Sequence, residues 1–386
     1  MYARIRIYGL WLGVMLLMAA CTQEERMPDI PAEAVAITFD CHTALDEGET
    51  RAANGATGFT SSENGNLYYM GLGVFAHDED ATDYDFMWNQ ELEYVFLADI
   101  TKEDFDLYDG YWTYTPIKYW PYKYDNVEQK NVPKTLYFSA YAPYVEKPDG
   151  LPAGTTGITG MSASSENPYI DYTLSDKLDE TVDLLWCYQE VNEVQSVQLR
   201  MHHALARVSV DVKLSEDNNY KTANTKVLIS RITLSGTAAR TGRLDLTKAT
   251  KEDAENANSV YPTWTVQTTD TREVNILNSD NPASYGIIAR DIRYIDDLPY
   301  EWQPDGLQKG VPANALMTRD IHKAYIYFIP YSDLSLTCTV YYTLMDDSGN
   351  VHKGHSTAEV PPSAIASPLQ GNRTYQLNLI INPEAI

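Results

Sequence analysis

Apolar residues fall at every second position in run after run of this chain, and almost nowhere at helical spacing. Side chains alternate across a β-strand, so each such run reads as a strand with one buried face. "AVAITFD" sets Val35, Ile37 and Phe39 on one side, and "KTLYFSAYAP" sets Leu136, Phe138 and Ala140 opposite Tyr137, Ser139 and Tyr141. "LARVSVDVKL" carries Leu205, Val208, Val210, Val212 and Leu214 after one irregular step. "AYIYFIPY", "SLTCTVYY" and the terminal "TYQLNLII" repeat the pattern. The turn cluster in "LMDDSGNVHKG" predicts a hairpin near 347–350. Tyrosine outnumbers phenylalanine 29 to 8, which suits strands with one face buried and one wet. "KEDAENANS" is polar all round and reads as a loop. The expected fold is therefore all-β, built of short strands in sandwiches with few short helices.

A chain of 386 residues has room for two domains. The expected division lies near 195, giving an N-terminal β-sandwich over 35–195 and a C-terminal one over 196–386. The stretch 150–168, rich in Gly, Ser, Thr and Pro, reads as an exposed loop or crossover; 249–260 and 290–312 read as loosely structured. The formal charge of −25 argues against nucleic acid and against anionic lipid surfaces as partners. It fits a protein working outside the cell.

The N-terminus has its own logic. "MYARIRIYGLWLGVMLLMAA" joins a short cationic start, Arg4 and Arg6, to an apolar run and small residues, the pattern of an export signal over 1–20. Cys21 follows at once, ahead of a polar, acidic stretch taken as a linker over 21–34. Met18-Ala19-Ala20-Cys21 resembles a bacterial lipobox, which makes Cys21 the expected acylation site and the lipid a membrane-surface anchor. The alternative is a plain signal with an incidental cysteine. Three thiols then remain, Cys41, Cys187 and Cys338, so no disulfide framework is expected. Cys338, between Leu336 and Val340, reads as a buried apolar thiol.

Enzyme signatures are missing from the sequence: no G-x-S-x-G, H-E-x-x-H, phosphate loop or dinucleotide fingerprint occurs. The expectation is a non-enzyme with no cofactor and no metal. His202 and His203, being adjacent, point to opposite faces of a strand; His352 and His355 read as exposed hairpin residues. The acidic loop of Asp78, Asp80, Asp83 and Asp85 lacks a calcium loop's glycine and terminal glutamate and reads as solvated. In "YDGYWTYTPIKYWPYKYD" the aromatics Trp112, Tyr114, Tyr119 and Trp120 read as a strand's buried face and a hairpin, with a sugar-stacking platform as the alternative.

One stretch joins accessibility to consequence. In "DEGETRAANGATGFTSSENGN", Arg51 stands alone among glycines, small residues and acids, where proteases nick exposed chain. A cut between Arg51 and Ala52 would separate the Val35–Ile37–Phe39 strand from everything downstream. A sandwich that loses such a strand is left with unpaired backbone groups and an apolar trough, a template for a strand from another molecule. The alternative is an ordinary loop with an incidental arginine.

Taken in order, these segments resemble the fimbrillin-like proteins of Bacteroidetes, which build type V pili or sit at their base or tip. The leader ending at Cys21, the first strand and "TRAANG" are similar to the family's lipidated leader, first strand and Arg-Ala processing site. "YWPYKYDNVEQKNVPKTLYFSAYAPY", "DLLWCYQ", "VQLRMHHALARVSVDV" and "ITLSGTAARTGRLDLTKAT" resemble further family segments. The resemblance implies two tandem β-sandwich (transthyretin-like or Greek-key) domains and export as an outer-membrane surface lipoprotein. It also implies removal of the first strand by an Arg-specific protease and assembly with other pilus subunits by strand exchange. A host or bacterial surface receptor is a further implied partner. The C-terminal strand, with Tyr375, Leu377, Leu379 and Ile381 on one side, is the candidate donor, or equally a core strand of its own domain. The rival reading is a surface glycan-binding lipoprotein that never enters a pilus.

Overall fold

The computed structural model describes residues 34–43, 66–81, 86–96, 110–147, 157–162, 168–175, 181–214, 226–251, 260–278, 287–288, 326–345, 351–360 and 369–381. From the N-terminus come β1 (Phe39–Thr43), the helical turn α1 (Asn66–Met70), β2 (Leu72–Asp78), β3 (Met87–Phe96) and β4 (Gly110–Thr113). A small hairpin, β5 (Tyr122–Asp125) and β6 (Lys130–Pro133), leads to β7 (Leu136–Ala142), β8 (Ile158–Ser162), β9 (Tyr169–Thr173) and β10 (Leu185–Val191). β11 (Val197–His203) and β12 (Ala206–Leu214) meet at a tight corner. The long β13 (Lys226–Lys251) and β14 (Val260–Asn278) precede β15 (Ile287–Ile288), β16 (Ile326–Phe328), β17 (Ser335–Met345), β18 (Val351–Val360) and β19 (Thr374–Ile381). The chain is all-β, as its alternation requires.

The first sheet runs β1-β11-β10-β7-β2-β3-β4. Its inner face buries Leu72, Val74, Leu136, Phe138, Leu185, Val197, Leu199 and Met201 in one cluster with Phe39, Trp112 and Trp120. This sheet is rolled until its two ends meet. The residues just before β1 bond to those just after β4, with Ile37 N–H donating to Lys118 O and Trp120 N–H to Val35 O, each at 2.9 Å. Rolling follows from the right-handed twist of a many-stranded sheet, and it removes the open edges a flat sheet would expose.

Farther along the chain two sheets face each other. β16-β12-β19 is the smaller; β18-β17-β13-β9-β8 is the larger, and β13 also pairs with β14 and β15. Val208, Ile326, Phe328 and Leu377 from the first interleave with Ile232, Leu234, Leu336, Cys338, Val340 and Tyr342 from the second. Cys338 is the buried apolar thiol its neighbours suggested. β17 and β18 form the expected hairpin, pairing from Leu336↔Val360 to Met345↔Val351. At Gly236 the β13 backbone comes so close to β17 that a Cβ would lie 1.8 Å from Ser335 O, so only glycine fits.

Sheet membership crosses position 195 in both directions. β11 belongs to the first sheet, while β8 and β9 belong to the larger distal one. The stretch 150–168, expected as a loop, contains β8, whose Ile158 is buried beside Ile170 and Tyr172. Those residues pack with Phe75, Tyr141, Trp186, Leu205, Leu244 and Tyr327 in a third cluster that joins both parts. Central strands are therefore covered on both faces: in β7, Ser139 and Tyr141 are as buried as Phe138 and Ala140.

Candidate functional site

The segment 34–43 is the feature of the fold that most invites a function. β1 pairs in parallel with β11, from Phe39↔Val197 to Thr43↔Met201. Just upstream, Ala36 bridges Tyr119 in the antiparallel sense. The segment thus fills the seam of the rolled sheet, bonded to β11 on one side and to 118–120 on the other. Val197 N–H donates to Thr38 O at 2.8 Å, and the Tyr114 hydroxyl donates to Ile37 O at 3.0 Å.

Ile37, Phe39 and Cys41 face inward and are buried, whereas Val35, expected on the same buried face, is 43% exposed. Val35 sits where the chain enters the seam, so its side of the strand is open to solvent. Phe39 is held edge-on by Tyr114 (centroids 5.4 Å apart, 74° between planes) and by Phe138 (5.6 Å, 89°). Such edge-to-face packing fits the opposed charge of ring edge and ring face. Burial raises the Tyr114 hydroxyl to about 12, so it remains a donor to the strand. Burial also raises Cys41, helped by Cys187 and Asp40, and raises Cys187 to about 12. The two thiols are free, buried neighbours in one core.

Without 34–43, the seam would be a slot walled by β11 and 118–120 and floored by Tyr114, Trp120, Phe138, Val197 and Leu199. Backbone donors and acceptors on both walls would lose their partners, an arrangement that a foreign strand repairs.

Cys21, Arg51 and Ala52 lie outside the described residues, as do Asp83 and Asp85. At the other end, β19 pairs in parallel with β12 over its whole length, from Arg207↔Thr374 to Leu214↔Ile381. Leu377 is buried and Tyr375 packs against the same core, so in this state β19 is a core strand of its own chain. Leu379 and Ile381 continue it opposite Val212 and Leu214.

The aromatic stretch divides, with Tyr119 half-buried between the two sets. Trp112, Tyr114 and Trp120 are core residues and offer no stacking surface, while Tyr111, Tyr122 and Tyr124 face solvent. Asp78 is tied to Lys134 at 2.9 Å and accepts from the Asp80 and Ala81 amides of its own turn. Burial pushes its carboxyl up, but Lys134 and those amides outweigh it and hold it below the usual range. His355 lies against Tyr341 on β17. Among the described residues no group of three or more His, Cys, Asp or Glu is placed to hold a metal ion.

A buried polar corner escaped the sequence reading. His203 Nδ1 meets Asp183 Oδ2 at 2.5 Å, and Asn372 bonds to both His202 and His203. The doublet His202-His203 before a break in alternation was its only local signal, since Asp183 and Asn372 are distant in sequence.

No family profile matches the chain, and no curated protein matches it. Among solved structures it is similar to a candidate cell adhesion protein of Bacteroides uniformis, at 12% identity over 91% of this chain and 95% of that one, with a TM-score of 0.40. A fimbrial assembly protein of Parabacteroides distasonis aligns at 10% identity over 90% and 92%, with a TM-score of 0.34. A candidate polysaccharide-binding protein of Bacteroides thetaiotaomicron aligns at 7% over 81% and 84%, with a TM-score of 0.27. Likenesses this distant assign no role to the chain.

Proposed function

We propose that this chain is a structural, non-enzymatic subunit or adhesin of a type V pilus. In this reading it is exported as a surface lipoprotein acylated on Cys21 and cut between Arg51 and Ala52. The cut frees 34–43, and the vacated seam takes a strand from another subunit. The observation that supports it is the seated first segment itself. It is short, bonded along both sides, buried through Ile37, Phe39 and Cys41, and followed in sequence by the stretch that carries Arg51. A strand held this way leaves behind a ready-made template, and main-chain bonds plus side-chain pockets supply both affinity and selection for its replacement. The lipid would hold the uncut subunit at the outer membrane, and the fimbrium is its destination. β19 is the candidate donor from this chain.

The test is Arg51→Ala. Wild type exposed to an Arg-specific protease should yield one discrete cut and then SDS-resistant polymers. The variant should remain a stable, uncut monomer. Polymers formed equally well by the variant would sink the cleavage step.

A further inference from the structure

The turn that leads into β19 is clasped to the corner between β11 and β12. Asn372 N–H donates to Leu205 O at 3.3 Å, and Arg207 N–H donates to Arg373 O at 2.9 Å. Asn372 holds a left-handed backbone (φ 59°), which asparagine tolerates better than most residues. At Gly371 a Cβ would stand 2.4 Å from Ala204 O, so turn and corner are in direct contact.

The Asn372 side chain is oriented without ambiguity. Its Oδ1 lies 3.3 Å from the backbone N of His203, which can only donate. The amide nitrogen Nδ2 therefore faces outward from that bond, and it lies 3.3 Å from His202 Nδ1. An amide nitrogen only donates, so His202 Nδ1 must offer a lone pair and the ring carries its proton on Nε2. Turning the amide over would set Nδ2 against the His203 N–H instead. Both ends of the amide are thus engaged, and of the bonds that make the clasp the one to His202 Nδ1 exists only while that ring is neutral.

We propose that His202 and Asn372 form an acid-sensitive latch on the C-terminal strand, in which proton uptake at His202 Nδ1 opposes two donors and loosens β19 from β12. The site is buried, with His202 6% and Asn372 2% exposed, so water cannot easily replace the lost partner. The titratable and charged groups around it come from several elements. Arg200 on β11 and His42 on β1, paired with it, share the face of His202. Asp183 and His203 sit on the opposite face of the strand, and Arg207 and Arg373 follow on the clasped segments. From β10, Trp186 lies against the His202 ring. These groups stay in place in every variant below, so their own titration cancels in the comparison.

Hydrogen exchange of the full mature chain, followed in peptides spanning 204–214 and 369–381, reads the latch directly. It is measured at about pH 8 and about pH 5.5, either side of the ~6.5 of a free imidazole, and corrected for intrinsic exchange. Wild type should lose protection in both peptides at the lower pH, on the order of tenfold for a full unit of linked shift. His202→Gln retains an acceptor for Asn372 and does not titrate, so it should lose markedly less protection than wild type between the two pH values. Asn372→Asp, whose second oxygen needs a donor, should reverse the response and be better protected in acid. The latch is refuted if wild type shows no acid loosening, if His202→Gln loosens as wild type does, or if Asn372→Asp loosens rather than tightens. Should His202→Gln not fold, the sign of the Asn372→Asp response decides alone. No polymer is measured, so failure here leaves the proposed role in pilus assembly to its own test.

Discussion

If the first strand is the keystone of the rolled sheet, Phe39→Ala should unseat it. The ring is 6% exposed and packs edge-on against both Tyr114 and Phe138. Truncating a buried aromatic costs roughly 3–5 kcal/mol, and each lost ring pair accounts for about 0.5–1.5 of that. With two such pairs and rigid β-sheet walls that cannot collapse into the gap, the upper half of the range is expected, about 4 kcal/mol. Against a urea slope of ~2–3 kcal/mol per molar, the midpoint should fall by about 1.5 M. Tryptophan fluorescence of the uncut protein is the assay, because Trp112 and Trp120 lie in the same core as Phe39. Val35→Ala is the internal control. Its side chain is 43% exposed, and the change should move stability by less than ~0.5 kcal/mol. An unchanged midpoint for Phe39→Ala would mean that the strand is not packed in solution and that no slot exists to be opened.

Two further outcomes are expected. Cys21→Ser should abolish incorporation of labelled palmitate, and label retained by the variant would remove the lipoprotein from the proposal. Burial raises both Cys41 and Cys187, so at about pH 8 in the uncut protein neither should react with a thiol reagent on the timescale of minutes. Once 34–43 has left, Cys187 loses part of its cover and should react, while Cys338, buried in the distal core, should not. A Cys187 that stays inert after the strand has gone would show that the slot closes over instead of staying open.

Much of the local structure was legible because side-chain alternation is a property of the chain itself. The runs around Phe39, Leu136, Leu336 and Leu377 are strands, Cys338 is buried between Leu336 and Val340, and the hairpin between β17 and β18 is where its turn residues put it. The pattern was misleading where burial is two-sided or partial. Ser139 and Tyr141, set opposite Phe138 by alternation, are buried as fully as it is, Val35 was assigned to a core that ends at Ile37, and β8 was hidden in a loop-like composition.

Pairing between strands distant in the chain was beyond the sequence. Alternation says that Ile37, Phe39 and Cys41 share a face, but nothing local says that β1 lies parallel to β11 and closes a roll against 118–120. It likewise marks Tyr375 and Leu377 as strand residues without saying that β19 runs parallel to β12. The buried corner of Asp183, His202, His203 and Asn372 is the sharpest case, since its members are scattered over 190 positions and meet only because β11, β12 and β19 converge. Strand character comes from the period of the side chains along one segment. Partner, direction and closure come from where distant segments find matching backbone edges and complementary volume, and those are decided only when the whole chain packs.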